Sequence, residues 1–289
     1  MKNFTIILVL CSLIWIVIFI INDTGKFLSP QENSIDLQRG SQELTSINSS
    51  ELIIYIVYDN NNYNASFSSD WGFSCLIKTS NITILFDTGG NGDILVQNLK
   101  KFNINPKDID IIFLSHIHGD HTGGLKSILD KNSNVTVVIP KSFPVTFKLL
   151  IKSYNTRILE VSEFSKVCKG FYSTGEMGNW ITEQSLVINT DKGLIVITGC
   201  AHPGIVKIIE KARNSVNKDI LLVLGGFHLI GKSKSEIKQI INDFKKLNVK
   251  YVAPCHCTGD LAINMFKMEY GSKFIKTGVG RIIEIKNLG

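Results

Sequence analysis

Residues 116–121 read HIHGDH, which places three of the chain's six histidines and one aspartate within six residues. Imidazole nitrogen and carboxylate oxygen are the donors that hold borderline metal ions. In an extended segment, side chains two residues apart point the same way, so His116 and His118 can grip one ion from one side. Asp120 and His121, at the start of the next turn, can face a second. Neutral imidazoles with a carboxylate suit Zn²⁺, and also Fe or Mn, whereas the spacing excludes a purely thiolate site. A lone histidine is more often a hydrogen-bonded or solvated side chain than a ligand. Here all six share an address: His202, His228 and His256 also stand where an apolar strand gives way to a Gly, Pro or Cys turn. Such strand ends are where ligand sites are assembled.

The elements that must position these residues are legible as runs. Short β-branched segments at 52–58, 73–79 and 82–90 read as a strand meander. Helical pieces at 93–102, 123–130 and 142–152 then alternate with buried strands at 110–115 and 134–140. The second half repeats the theme. A hairpin at 185–199 turns through Asp191, Lys192 and Gly193, and helices near 204–213, 234–247 and 259–270 alternate with strands DILLVLGG and VKYVAP before two terminal strands. Two similar halves of strands followed by helices imply an α/β fold, an αββα sandwich of two sheets packed face to face with helices outside.

Composition sets the wider frame. A chain of 289 residues, 44% hydrophobic and 19% charged, suits one large folded domain. The net charge of +6 is spread over scattered lysines without a basic stripe, so no nucleic-acid partner is expected. The apolar stretch from Phe4 to Ile21 is long enough to span a bilayer and lacks a convincing cleavage site. Residues 1–21 are therefore expected to form an uncleaved transmembrane anchor. Residues 22–50, rich in Ser, Asn and Gln, read as a flexible linker, and 51–289 as the functional domain. Lys2 ahead of the span places that domain on the extracytoplasmic side of a single-pass membrane protein. Outside the span, Cys75, Cys168, Cys200, Cys255 and Cys257 are odd in number and irregularly spaced, which is not a disulfide framework.

The HxHxDH motif, after a buried strand and before TGG, closely resembles the signature of the metallo-β-lactamase superfamily. LFDTGG at 85–90 resembles that family's early strand and Asp-Thr-Gly turn. More narrowly, GCAHPGI at 199–205, GGFHL at 225–229 and CHCTG at 255–259 resemble the branch of dihydropterin ribofuranosylaminobenzene phosphate synthase-like proteins. The resemblance implies that His116 and His118 bind a first metal, that Asp120 and His121 bind a second, and that His256 completes the second site. Asp87 would support the metal loop from below.

Most members of the family place a histidine ahead of the hairpin at 185–199 and a bridging aspartate just after it. Here GEMGNWITEQ offers only Glu176 and Glu183, and the position after the hairpin is Cys200. His202, two residues on, is read as the replacement ligand. Cys200 either bridges two ions as a thiolate or packs as a small buried residue behind the site, and the packing reading is favoured because cysteine is among the most buried residue types. Glu183 is left between ligand, substrate contact and solvated hairpin residue. Cys255 and Cys257 are read as packing around the site.

The expected cofactor is two divalent metal ions, Zn ahead of Fe or Mn, and the expected partner a small-molecule, anionic substrate. A pair of ions is a general means of making water nucleophilic and neutralising a leaving oxygen, which implies hydrolysis of a phosphodiester, ester or related bond. Asp120 would bind metal and orient the water. His228 would serve as ligand, anion contact or general acid, a role that an ordinary histidine pKa of about 6.5 suits. The rival readings are a phosphoribosyl-transferring, carbon–nitrogen bond-forming synthase of pterin type, a noncatalytic metal-binding or sensory module, and a di-iron redox protein. Specificity is expected in loops at 59–70 and 162–184.

Overall fold

The computed structural model describes residues 44–289. The expected span from Phe4 to Ile21 and most of the expected linker lie outside the described residues. Among the described residues, no helix is long and apolar enough to cross a membrane.

The chain first lays down β1 (Ile53–Asp59), β2 (Phe73–Lys78), β3 (Thr83–Phe86), β4 (Ile111–Phe113), β5 (Thr136–Pro140) and β6 (Arg157–Val161). It then crosses to a second sheet of β7 (Ser165–Cys168), β8 (Phe171–Ser173), β9 (Leu186–Thr190), β10 (Gly193–Thr198), β11 (Ile220–Gly226) and β12 (Tyr251–Cys255). The short β13 (Ile282–Glu284) returns to the first sheet and pairs antiparallel with β1. The sheet orders are β13-β1-β2-β3-β4-β5-β6 and β12-β11-β10-β9-β8-β7. Helices α1 (Gly92–Lys101), α2 (Gly119–Thr122), α3 (Leu125–Leu129) and α4 (Val145–Lys152) accompany the first half, and α5 (Ile205–Val216), α6 (Lys234–Lys246) and α7 (Asp260–Tyr270) the second.

Three apolar layers hold these elements together, as the period-two alternation of a strand buried on both faces requires. Ile195 and Ile197 of β10 join Ile54, Ile56, Ile84 and Phe86 of the first sheet in the core between the sheets. Leu194 and Val196, pointing the other way, pack with α5, α6 and α7 through Ile208, Ile241 and Phe266. On the far face of the first sheet, Leu85 and Ile112 meet Leu95, Leu99 and Ile128. The result is the expected αββα order.

Two expectations are corrected. The stretch 162–184 is not one loop, because β7 and β8 form an antiparallel pair within it, and β6 precedes them at the edge of the first sheet. A single terminal strand, β13, stands where two were expected; the next residues, Ile285–Asn287, wind into a 3-10 turn.

Candidate metal centre

Strands β3, β4 and β5 run parallel to one another, as do β10, β11 and β12, so their carboxyl ends open on one edge of the sandwich. The segments leaving β3, β4, β10, β11 and β12 carry Asp87, His116 to His121, Cys200 and His202, His228 and His256 respectively. Backbone conformation marks this edge independently. Among the described residues, eight non-glycine residues have positive φ: four are asparagines that follow helices, where that conformation is tolerated, and the others are Asp87, Ala201, His228 and His256. Each such conformation costs about 1 to 3 kcal/mol and persists where surrounding contacts impose it, characteristically at functional sites.

The first cluster joins His116, His118 and His202, whose ligand atoms lie within 4.8 Å of one another. Nε2 of His116 is 3.1 Å from Nδ1 of His118, and the His202 ring lies 4.8 Å from that of His116 and 5.0 Å from that of His118. The second cluster joins Asp120, His121, Cys200 and His256. Nε2 of His121 and Nε2 of His256 are 3.2 Å apart, and Sγ of Cys200 lies 3.2 Å from the former and 3.4 Å from the latter. Asp120 Oδ2 completes the group at 3.6 Å from His121 Nε2 and 3.4 Å from His256 Nε2. The rings of His116 and His121 are 4.2 Å apart, so the two clusters adjoin.

A layer of acceptors behind the histidines turns their Nε2 atoms toward these clusters. Nδ1 of His121 lies 2.7 Å from Asp87 Oδ2, and Nδ1 of His256 donates to Asn60 Oδ1 at 2.9 Å. Nδ1 of His116 lies 2.8 Å from Ser115 Oγ, which itself donates to Asp87 Oδ2. Nδ1 of His202 lies 2.9 Å from Glu183 Oε2. With Nδ1 engaged in each of these four rings, Nε2 is the nitrogen turned toward the clusters, the arrangement typical of metal-binding histidines, whereas His118 brings Nδ1 to His116 Nε2.

The donor set fits a metal ion. In the second cluster, two imidazole nitrogens, a sulfur and a carboxylate oxygen converge with few protons to share, and such a group of acceptors is satisfied by a cation. The electrostatics agree. Burial, followed by the neighbouring His121, lowers the His116 pKa to about 3, and burial with the adjacent His256 does the same to His121, so both rings are uncharged at neutral pH and each keeps one nitrogen lone pair for a metal. Burial opposes ionisation of Asp120, but the hydrogen bond from His256 and the charges of His121 and His256 outweigh it and hold the carboxyl well below the usual range. Burial likewise opposes protonation of His256, yet the hydrogen bond with Asp120 raises its pKa. The site is thus set to attract positive charge.

Cys200 is buried, as expected of a packing residue, and it also stands where a ligand would. Its sulfur lies among the second cluster's donor atoms, not behind them. Contact with Cys257, burial and the nearby Cys257, Glu183 and Asp120 charges push its thiol pKa far up, so a thiolate there calls for a cation. Glu183 lies outside both clusters. Its buried carboxylate accepts the backbone N–H groups of Cys200, Ala201 and His202 at 2.8 to 3.0 Å, fixing the turn that presents Cys200 and His202. Asn60 went unremarked in the sequence, where a lone Asn in the run DNNN carries no signal of its partner.

His228 is exposed, and its ring lies 4.6 Å from that of His202. Together with Cys200 and His202 it forms a third group of close donor atoms. A hydrogen bond with Cys257 raises its pKa against the effect of burial. Cys257 also donates to the Cys200 carbonyl at 3.6 Å, and Cys255 is fully buried.

Glycine makes two close approaches possible here. A Cβ on Gly199 would fall 2.2 Å from Ser115 Oγ and 3.0 Å from Asp87 Oδ2. One on Gly123 would fall 2.3 Å from the carbonyl oxygen of Gly90, so the DTGG and HTGG turns pack backbone against backbone.

Comparison with known proteins places this geometry. Residues 72–216 match the family model of the metallo-beta-lactamase superfamily. The chain is 34% identical, over 77% of its own length and 92% of the relative's, to 7,8-dihydropterin-6-methyl-4-(beta-D-ribofuranosyl)-aminobenzene-5'-phosphate synthase of Methanocaldococcus jannaschii. Among solved structures it is similar to a metal-dependent hydrolase of the beta-lactamase superfamily, with a TM-score of 0.68 and 31% identity over 81% of this chain and 98% of the other. It shares the fold of the short form of human tRNase Z, with a TM-score of 0.56 and 13% identity over 81% of this chain and 99% of that one. With the signature motifs gathered at one sandwich edge and the match spanning half its length, the chain belongs to the metallo-beta-lactamase superfamily.

Proposed function

We propose that the protein is a membrane-anchored, metal-dependent hydrolase acting on a phosphodiester, ester or related bond of a small anionic substrate. The observation that carries this reading is the adjacency of the two donor clusters, whose nearest rings are 4.2 Å apart. His116, His118 and His202 would hold one divalent ion, and Asp120, His121, Cys200 and His256 a second, with Zn favoured by the mixed nitrogen, oxygen and sulfur donors. When bound, such a pair of ions supplies Lewis acidity toward water and toward the leaving oxygen.

The chain's own groups do the rest. Asp120, about one-fifth exposed and strongly ionised, can accept a hydrogen bond from the attacking water and orient it. Asp87, Asn60, Ser115 and Glu183 keep the imidazoles in one tautomer and orientation. His228, with its raised pKa, can carry a proton on its ring to the leaving group. Anchoring is proposed from residues 4–21 and rests on the apolar run alone; the expected tether at 22–50 is shortened at its end, because Ile47 bridges Thr190 and the Ser49 N–H donates to Asp191, so the proposed extracytoplasmic domain takes in those residues too.

A second reading is a carbon–nitrogen bond-forming synthase of the kind named for the archaeal relative, supported by 34% identity over most of that protein. Metal analysis and turnover of a chromogenic phosphodiester by the full-length protein test the first reading. Asp120→Ala is expected to lower turnover at least about 100-fold with the fold retained, and His228→Ala to lower kcat with metal content unchanged. Absence of bound transition metal, or unchanged turnover in the Asp120 variant, overturns the proposal. Consumption of a phosphoribosyl donor without phosphodiester hydrolysis would favour the synthase.

A further inference from the structure

We propose that Cys200, His202 and His228 form a third, weaker metal position that takes up zinc in excess of the two ions assigned to the donor clusters. This rests on the two-ion hydrolase reading above and adds to it a means of regulation. One ligand atom from each of the three residues lies within 4.8 Å of the other two, and the rings of His202 and His228 are 4.6 Å apart. Two imidazoles and a sulfur are donors that Zn²⁺ accepts readily, whereas Mg²⁺ prefers oxygen.

The backbone holds His228 where such an ion would meet it. The Phe227 N–H donates to Thr258 Oγ1 at 3.0 Å and the Leu229 N–H to the Cys257 carbonyl at 3.2 Å, so both neighbours of His228 are pinned to the segment that carries His256. The side chains of Phe227 and Leu229 are buried, while His228 between them is exposed. Its φ of 54° is a conformation that costs a non-glycine residue about 1 to 3 kcal/mol and persists only where its surroundings impose it. The ring is therefore set at the rim of the site, within reach of an ion arriving from solvent.

Two of the three ligands are borrowed, and that makes the position inhibitory. Glu183 engages Nδ1 of His202, which leaves that ring one free nitrogen. The nitrogen can serve the first cluster or the third position, but not both at once. Cys200 is different, because a thiolate has lone pairs enough to bridge two ions. An ion in the third position therefore loosens the first ion through His202 and covers the ring of His228, the proposed proton carrier. Competition for His202 also makes it the weakest of the three, so it fills only when zinc is in excess.

The test is equilibrium dialysis of the full-length protein against rising zinc, with metal analysis of what is retained, for wild type and His228→Asn. Asparagine tolerates positive φ, so the variant keeps the backbone and loses the imidazole donor. With two equivalents of zinc the two proteins should hold the same metal; in excess zinc, wild type should hold one ion more. Loss of even a group that supports a ligand costs about 10- to 100-fold in metal affinity, so the extra ion should bind at least about 10-fold more weakly to the variant. Wild-type turnover of the chromogenic phosphodiester should fall over the zinc range that fills the third position, and the lower turnover of the variant should not fall further. Excess magnesium should do neither. Equal zinc content of the two proteins in excess zinc, or equal inhibition of both, overturns this inference and leaves the hydrolase reading standing. An extra ion that depends on His228 in a protein that hydrolyses no phosphodiester keeps the third position and sinks the hydrolase reading.

Discussion

Oδ2 of Asp87 lies 2.7 Å from Nδ1 of His121, and the same oxygen accepts the hydroxyl of Ser115, whose own oxygen lies 2.8 Å from Nδ1 of His116. One fully buried carboxylate thus steadies one histidine of each donor cluster. Loss of a group that orients ligands in this way typically costs 10- to 100-fold in metal affinity, and about that loss is expected at both sites in Asp87→Ala. Ser115→Ala should weaken chiefly the site of His116. Zinc titration against a chromophoric chelator resolves the two steps; equal effects of the two substitutions would refute the shared support.

Cys200 and Cys257 are neighbours, but only Cys200 offers its sulfur to the second cluster. Cobalt-substituted protein should show a thiolate-to-cobalt charge-transfer band in the near ultraviolet. Cys257→Ser should keep that band and Cys200→Ser should lose it. Persistence of the band in Cys200→Ser would remove the thiolate from the ligand set.

Glu183 carries a pH dependence whose sign is determined. Burial raises its pKa, but the hydrogen bond with His202, the charge of His116 and the N–H groups of Ala201 and His202 hold it well below the ordinary 4.5. A folded-state pKa below the unfolded one contributes stability that is present above 4.5 and lost as pH falls through the lower folded value. In metal-free protein, wild type should exceed Glu183→Gln in unfolding free energy at pH 7, and the gap should shrink as pH drops below 4.5. Glu183→Ala at neutral pH leaves three buried backbone N–H groups without their acceptor and is expected to cost about 1 to 3 kcal/mol. A gap that does not change with pH would show that the carboxylate charge is not what holds the turn.

Gly199→Ala should destabilise the metal-free fold by about 1 to 3 kcal/mol, since its methyl group enters the Ser115–Asp87 contact. The same change should lower zinc affinity, because the displaced groups are those that hold His116 and His121. Denaturant unfolding and zinc titration check the two effects, and an unperturbed zinc affinity would separate Gly199 from the site.

Much of this protein was open to reading from the chain alone. Continuous apolar runs marked the long inner strands, because burial on both faces demands them, and the histidines could be assigned to strand ends because they directly follow those runs. Strands β6, β7 and β8 escaped that reading: β8 is buried but only three residues long, and β6 and β7 share one physical reason. Those two lie at sheet edges, where RILEV is mostly solvent-accessible and SKVC is half-buried throughout, so neither carries an apolar signature. Only the tertiary structure decided the part played by Cys200, whose sulfur meets a ring 79 positions earlier, and by Asn60, whose amide meets His256 across 196 positions. A thiol or an amide has the same composition whether it packs, bridges or orients. What it does depends on which atoms the fold brings within about 3 Å of it, and at such separations only the packing of the two sheets sets that distance.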